Sequence, residues 1–239
     1  MIFSETFYVG YSSVNRQLEL SNASILKLFE DIASMHGSLA KDGLNDTESR
    51  WFLTGYHIKM AKRPAYDTRF LLKTWSHDMK SIQASREFEI CDEKGNQLGV
   101  ATSNWVRMNT QAMRPERVTQ ELADAYGTET EITNFDSPWI EKLKEPESFD
   151  FTKEYKIERN FIDANNHMNN VAYMELVNNV LPDEVYEKAE SLEFTIMYKK
   201  AIQYGDTVKC CFTTTDDCYY VTIKNQDATD LHAVIKLSK

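Results

Sequence analysis

The sequence predicts an α+β fold of two tandem units, each a long helix wrapped by an antiparallel sheet, with the two sheets joined. Three observations support this prediction. Both halves of the 239-residue chain run in the order strand, helix, strands. Each helix carries apolar residues at three- and four-residue steps, and strand-forming residues dominate the segments that follow it. One such unit would leave a sheet edge exposed, and two units can cover it by joining edges.

The helix of the first half is predicted over residues 21–43, where Ile25 and Phe29 begin an apolar face. Ser21 is a suitable N-cap and Gly43 a suitable stop. Turn residues separate the extended segments of this half. These segments are 3–14, 51–64, 68–78, 82–92 and 97–109.

The second half repeats this plan, with a helix predicted over 168–181. A weak internal match at an offset of 150 residues lays Gln17 over His167 and Ile25 over Glu175. The extended segments are 152–162, 191–202, 206–216, 218–226 and 231–238.

A charged segment with several prolines lies between the halves. We therefore expect an N-terminal unit at 1–118, a linker at 119–150 and a C-terminal unit at 151–239. A 239-residue chain can bury a substantial core in this arrangement.

Composition argues against several classes of function. A formal net charge of −10 does not suit non-specific nucleic-acid binding, which needs clustered cations. No run approaches the roughly 18 apolar residues of a membrane span. The four cysteines form no CxxC pair, so we expect free thiols, no metal and a cytoplasmic protein. They are Cys91, Cys210, Cys211 and Cys218.

A dense polar block, 163-DANNHMNN-170, lies directly before the second helix. A helix N-terminus presents free N–H groups and roughly half a positive charge, which can stabilise the oxyanion of acyl transfer. Histidine is the usual general base at neutral pH, so His167 could take a proton from water. Asp163 could orient the histidine ring, and Asn165 could hold the water or the carbonyl oxygen. These three are the candidate catalytic residues.

Each candidate also has a structural interpretation. Asp and Asn before a helix are ordinary capping residues. His36, on the apolar face of the first helix, is interpreted as a core histidine. The density of the polar block favours a functional role for that block.

Several further motifs accompany the block. They are 18-LELSNASILKLFEDIASMHG-37, 51-WFLTGYHIKMAKRPAYDT-68, 74-TW-75 and 86-REFEICDEKGNQLGVATSNWVRMNTQAMRP-115. With 163-DANNHMNNVAYMEL-176, the chain resembles the acyl-acyl-carrier-protein thioesterases of plants and bacteria, which are double-hotdog proteins. The resemblance implies hydrolysis of a fatty acyl thioester on acyl carrier protein, without metal, nucleotide or other cofactor. It also implies that Asp163, Asn165 and His167 form the catalytic block.

One position departs from the family pattern. The glutamate that the family places before a Gly-Asp pair is Ala201 in this chain, and the cysteine of the plant members is Ile202. Glu175, in the second helix, is a candidate replacement because the internal match lays it over apolar Ile25. Candidate substrate-binding residues are Asn169 and Asn170 at the helix mouth, and apolar Ile25, Phe29 and Met60 for the acyl chain.

Two alternative functions stay open. An acyl-CoA thioesterase would use the same fold, and a non-catalytic acyl- or carrier-binding protein is suggested by Ala201. A set of cations is either a solvated face or a patch for acidic acyl carrier protein. They are Lys59, Lys62, Arg63, Lys199 and Lys200. A homodimer is compatible with the sequence.

Overall fold

The computed structural model describes residues 1–186 and 192–239, which form two compact units, Met1–Ile140 and Glu141–Lys239. The segment expected to be a linker, 119–150, is divided at Ile140. Its first part folds onto the first unit, and the remainder belongs to the second.

The first unit is an antiparallel sheet with helices on one face. Over residues 1–140, all of which are described, the strands are β1 (Phe3–Tyr8), β2 (Ser49–Met60), β3 (Arg69–Lys80), β4 (Gln83–Asp92), β5 (Gln97–Asn109) and the two-residue β6 (Arg114–Pro115). Five of them neighbour each other in the order β1-β3-β4-β5-β2, and β6 pairs with β5. Every pairing is antiparallel. The helices are α1 (Asn22–Leu39) and α2 (Gln120–Tyr126).

Helix α1 begins where the sequence predicts and ends earlier. The Ser21 side chain accepts a hydrogen bond from the Ser24 N–H at 3.2 Å, which confirms the N-cap. The last helical residue is Leu39, so the predicted stop at Gly43 is wrong. Lys41 adopts φ +56°, a left-handed conformation that ends the helix without a glycine.

The core of the first unit lies between α1 and the sheet. The Phe29 ring of α1 stacks on the Phe88 ring of β4 at a centroid distance of 4.3 Å and lies 5.9 Å from the Tyr56 ring of β2. Ile25 and Ile32 are fully buried on the same helix face. Burying each such side chain contributes roughly 1.5–3 kcal/mol, so this face holds the helix in place.

The second unit repeats the design. In its described part, the strands are β7 (Phe151–Lys156), β8 (Glu193–Tyr198), β9 (Thr207–Thr214), β10 (Cys218–Asn225) and β11 (Leu231–Ser238). They neighbour each other in the antiparallel order β8-β11-β10-β9-β7. Helix α3 (Asn170–Val180) buries Met174, Leu176 and Val177, and the short α4 (Asp183–Tyr186) follows it. Ser191, where a predicted strand begins, lies outside the described residues.

None of the helices in the described residues is long and apolar enough to cross a membrane.

A strap, residues 129–140, covers the sheet face of the first unit that does not contact α1. The Trp75 indole N–H donates to the Ile132 carbonyl at 2.9 Å. The Asn104 side chain donates to the Pro138 carbonyl and accepts from the Ile140 N–H, both at 2.8 Å. These side-chain contacts hold residues 129–140, which follow the last strand of the first unit, against that unit.

Strand alternation places two adjacent charges on opposite faces of β4. Arg86 points to the α1 face, and Glu87 points to the strap, since successive strand residues alternate. Glu87 is fully buried, and its Oε2 accepts the Asn134 N–H of the strap at 3.2 Å. Its Oε1 has no hydrogen-bond partner among the described residues, and burial raises the pKa of this carboxyl to about 7.

The buried Glu87 should make stability depend on pH. Folded Glu87 keeps its proton up to about pH 7, whereas an ordinary glutamate releases it near 4.5. The folded state binds more protons between these values, so this residue lowers the free energy of unfolding as pH rises. The loss approaches an order of 3 kcal/mol above pH 7. We expect Glu87→Gln, which keeps an acceptor for Asn134, to abolish this part of the slope.

Urea unfolding of both proteins at pH 5 and pH 8 measures the difference. The variant should gain stability relative to the parent at pH 8 and gain little at pH 5. Parallel stability curves for the two proteins would contradict a raised pKa at Glu87.

Candidate functional site

The polar block folds into a tight turn that leads into α3. The Asp163 N–H donates to the His167 carbonyl at 2.9 Å, and the Asn166 N–H donates back to the Asp163 carbonyl at 3.1 Å. Asn166 takes φ +60°, a left-handed conformation that asparagine tolerates better than most residues. An isolated bridge between Ile162 and Met168 closes the turn.

The three candidate catalytic residues, Asp163, Asn165 and His167, all lie on this turn. The Asp163 carboxylate accepts the Asn165 backbone N–H at 2.7 Å, as a turn-forming aspartate does. The expected bond from this carboxylate to the His167 ring is not formed. Within the described residues the His167 ring, which is half-buried, makes no hydrogen bond, and the Asn165 side chain is exposed.

The two candidate binding asparagines lie at the start of α3. Asn169 is the N-cap, and its side-chain oxygen accepts the Val171 N–H at 2.7 Å. Asn170 is the first helical residue, and its carbonyl accepts the Tyr198 hydroxyl at 3.1 Å. The capping interpretation is therefore confirmed for Asn169, and the cap uses only its amide oxygen.

Position 201 lies beside the entry to this helix. The Met168 N–H donates to the Ile202 carbonyl at 2.8 Å, so the segment that follows β8 is pinned to the residues that enter α3. Ala201, directly before Ile202, is exposed and carries no carboxylate.

The first unit contains the same turn, which corrects the register of the internal match. The Asn15 N–H donates to the Glu19 carbonyl at 2.8 Å, as Asp163 does to His167, and the Asn15 side chain accepts the Gln17 N–H at 3.0 Å. Asp163 lies 148 residues after Asn15, so the sequence match at 150 is wrong by two residues. The turn hydrogen bonds fix the register, whereas the side chains have diverged.

The corrected register changes the interpretation of Glu175. Its counterpart in α1 is Lys27, not Ile25, and both Glu175 and Lys27 are exposed. Glu175 points away from the core of its unit, so it is not placed to replace the carboxylate missing at Ala201.

Arg63 is the counterpart of Ala201 in the first unit. The Leu20 N–H donates to the Pro64 carbonyl at 2.9 Å, as Met168 does to Ile202. The Arg63 side chain is 2% exposed and donates to the Leu20 carbonyl at 2.8 Å and to the Asn22 side-chain oxygen at 2.5 Å. Arg63 therefore does not belong to a surface basic patch. The Arg63 side chain covers the N-terminus of α1, whereas the short side chain of Ala201 leaves the N-terminus of α3 uncovered.

The apolar candidates for the acyl chain belong to the core of the first unit. Ile25, Phe29 and Met60 are all buried. Met60 lies over Gly99, where a Cβ would come within 2.2 Å of the Met60 sulfur. These residues pack between α1 and the sheet.

Sequence reasoning did not single out Tyr198 and Tyr204, which lie near the N-terminus of α3. Tyr198 bonds the Asn170 carbonyl, and its ring meets the Tyr173 ring edge-on at 5.1 Å. At the rim of the turn, the Arg159 guanidinium lies 5.4 Å from the centroid of the Tyr204 ring. Only tertiary contacts reveal these roles, because no local pattern distinguishes these residues from other strand and loop aromatics.

Two family models cover most of the chain. Residues 1–126 match the acyl-ACP thioesterase N-terminal domain, and residues 144–237 match the acyl-ACP thioesterase C-terminal domain.

Individual relatives agree with these matches. The chain is 26% identical over 234 residues to oleoyl-acyl carrier protein thioesterase 1, chloroplastic, of Arabidopsis thaliana, covering 90% of this chain and 64% of the relative. It is 24% identical to a chloroplastic dodecanoyl-[acyl-carrier-protein] hydrolase of Cinnamomum camphora, covering 84% of this chain and 56% of the relative. The chain thus spans less than two thirds of these relatives.

Solved structures share the fold. An acyl-ACP thioesterase from Bacteroides thetaiotaomicron superposes with a TM-score of 0.86 at 21% identity, covering 99% of this chain and 97% of that one. The 12:0-ACP thioesterase of Umbellularia californica gives 0.83 at 17% identity, covering 99% and 96%. The predicted double-hotdog fold is confirmed. Because the two domain models match in order along the chain, this protein belongs to the acyl-ACP thioesterase family.

Proposed function

We propose that this chain hydrolyses fatty acyl-acyl-carrier-protein thioesters to free fatty acid and carrier protein. The observation that carries the proposal is the turn at Asp163–Met168, which holds a histidine and a carboxylate at the N-terminus of α3. Its similarity to an oleoyl-acyl carrier protein thioesterase and to a dodecanoyl-[acyl-carrier-protein] hydrolase supports the substrate class.

The proposed reaction adds water to the thioester carbon. His167 takes a proton from the water, whose oxygen attacks the carbonyl carbon. The positive end of the α3 dipole stabilises the negative charge that develops on the carbonyl oxygen. The carbon–sulfur bond then breaks, and the proton passes to the leaving sulfur, which gives the fatty acid and the carrier thiol. No metal or cofactor takes part in this scheme.

Asp163 and Asn165 position the reacting groups in this proposal. One Asp163 oxygen holds the turn by accepting the Asn165 N–H at 2.7 Å. The other accepts no hydrogen bond within the described part of the chain and is available to the histidine ring. Catalytic hydrogen bonds are often long or poorly aligned before substrate binds, and we propose that the ring bonds this carboxylate in the complex. Asn165, with its exposed side chain, would then hold the water or the carbonyl oxygen.

The alternative is a non-catalytic acyl- or carrier-binding protein, and Ala201 favours it. A methyl group stands beside the entry to α3, and the counterpart position in the first unit carries a buried arginine. Glu175 does not supply a carboxylate to this position, because its side chain is exposed. Activity measurements separate the two functions.

We further propose that the carrier protein docks on exposed cations and that the protein works in the cytoplasm. The first unit exposes Lys59 and Lys62, and the second unit exposes Lys199; the cations of either unit would attract an acidic partner. The four cysteines are free and buried, which suits a reducing compartment.

Replacement of His167 should abolish turnover without unfolding the protein. The ring makes no hydrogen bond in the described residues, so His167→Ala should leave the melting temperature nearly unchanged. Loss of the general base should lower kcat/KM for dodecanoyl- and oleoyl-carrier protein by about 100-fold or more. Thiol release measures turnover, and Glu175→Gln is the matched control because that exposed carboxylate should be dispensable. Full activity of His167→Ala would exclude the proposed base.

Two replacements of Asp163 separate its turn-forming role from its charge. Asp163→Asn keeps an oxygen for the Asn165 N–H, so it should retain stability, whereas Asp163→Ala should lose about 1 kcal/mol. Both should lose turnover if the negative charge supports His167. An active Asp163→Asn protein would reduce Asp163 to a turn residue.

Restoring the carboxylate at position 201 tests the alternative function. If the parent protein is a hydrolase, it should be measurably active on carrier-protein substrates. Ala201→Glu should then change the rate of hydrolysis. Acyl-CoA thioesters serve as the second substrate series. A parent that is inert on both series, beside an active Ala201→Glu protein, would show that the scaffold binds rather than hydrolyses.

A further inference from the structure

We propose that Tyr198 is a positioning residue of the candidate site, which fixes the first turn of α3 against the end of β8 and so orients the helix N-terminus toward the thioester. This inference rests on the proposed hydrolysis. Tyr198 acts through the helix and does not itself contact the reacting atoms.

The Tyr198 hydroxyl joins the last residue of β8 to the first residue of α3. It donates to the Asn170 carbonyl at 3.1 Å, across 28 positions of sequence. A carbonyl oxygen has two lone pairs, so Asn170 can accept this bond and a bond within the helix. Two residues earlier, the Met168 N–H donates to the Ile202 carbonyl at 2.8 Å. The end of β8 therefore holds the start of α3 through a side chain as well as through the backbone.

The Tyr173 ring, on α3, packs against the Tyr198 ring. Tyr173 is 3% exposed, and the two rings meet edge-on at a centroid distance of 5.1 Å, a favoured arrangement of aromatic pairs. Burial raises the pKa of Tyr173, and a backbone hydrogen bond from Ile202 opposes that rise. Each tyrosine thus bonds the backbone of the opposite element. Tyr198 of β8 bonds α3, and Tyr173 of α3 bonds the segment that follows β8.

The first unit lacks a counterpart of this tyrosine pair. In the register that the turn hydrogen bonds fix, Met60 takes the place of Tyr198, and Ile25 takes the place of Tyr173. Both counterparts are apolar and buried, so neither can donate a hydrogen bond to α1. The tyrosine pair is therefore a feature of the unit that carries the polar turn.

In the first unit Arg63 fastens the start of the helix instead. Asn22 is the counterpart of Asn170, and its side-chain oxygen accepts the Arg63 guanidinium at 2.5 Å, which places a cation at the N-terminus of α1. Carbonyl groups of a helix point toward its C-terminus, and N–H groups point toward its N-terminus. Tyr198 bonds a carbonyl, so it fastens α3 without using the N–H groups that would face the oxyanion.

The proposed reaction requires this orientation. Donors to an oxyanion act at hydrogen-bond distance, and a misplacement of about 1 Å can lower a rate on the order of 100-fold. The negative charge on the carbonyl oxygen develops only in the transition state, so loss of this orientation should lower kcat rather than raise KM.

Two matched tyrosine replacements in the full chain test the proposal. Tyr198→Phe removes the bond at the first residue of α3. Tyr155→Phe removes a similar bond near the other end of the same helix, where the Tyr155 hydroxyl donates to the Asn179 carbonyl at 2.8 Å. With dodecanoyl-carrier protein, Tyr198→Phe should lower kcat about ten-fold and leave KM within about two-fold of the parent value. Tyr155→Phe should leave both constants within about two-fold.

Hydrogen exchange measured by mass spectrometry supplies a readout that does not depend on turnover. Tyr198→Phe should lower the protection of amides in residues 163–173 about five-fold, and Tyr155→Phe should leave them unchanged. A kcat loss no larger than that of Tyr155→Phe, a change in KM alone, or unchanged protection of residues 163–173 would each overturn the proposal.

The exchange measurement also separates this proposal from the proposed hydrolysis. A parent protein that is inert on carrier-protein and CoA thioesters would contradict the proposed function. In that case lowered protection of residues 163–173 in Tyr198→Phe would still show that Tyr198 fixes the start of α3, and unchanged protection would overturn it.

Discussion

In each unit the entry to the long helix depends on one backbone hydrogen bond. Leu20 donates to the Pro64 carbonyl in the first unit, and Met168 donates to the Ile202 carbonyl in the second, at 2.9 and 2.8 Å. This bond sets one strand-end residue beside the positive end of the helix dipole. What that residue is decides whether the helix end is closed or accessible.

The two units share this backbone hydrogen bond but carry different side chains at the position beside the helix N-terminus. Arg63 occupies the position in the first unit and bonds the residues that begin α1, so a cation fills a place where an anion would otherwise be favoured. Ala201 occupies it in the second unit and leaves the end of α3 accessible beside His167. The hydrolysis that we propose therefore has one accessible helix N-terminus among these two. The Asp163 carboxylate holds the turn there by accepting the Asn165 N–H, and the same side chain has the positioning role in the proposed reaction.

The first unit also buries two charged side chains. Arg86 and Glu87 are neighbours in sequence, yet strand alternation sends one toward α1 and the other toward the strap. Neither side chain forms an ion pair within the described residues, and removing a charge from water without an opposite charge is costly. Glu87 can become neutral by keeping its proton, as its raised pKa shows. Arginine does not lose its charge in this way, and the Arg86 guanidinium is instead held by hydrogen bonds with His36 and Thr74.

The sequence by itself determined the features that depend on near neighbours along the chain. Apolar spacing located α1 and α3, Ser21 marked a helix start, and the cluster from Asp163 to Asn170 marked a polar helix mouth, because helices, caps and turns are formed within a few residues. Tertiary structure alone decided which distant residues meet. It set the true register of the two units, exposed Glu175, buried Arg63 and divided the segment 119–150 between the units. The entry to each helix, the burial of Arg63 and the packing of the strap depend on hydrogen bonds between residues more than 30 positions apart, which no local pattern encodes.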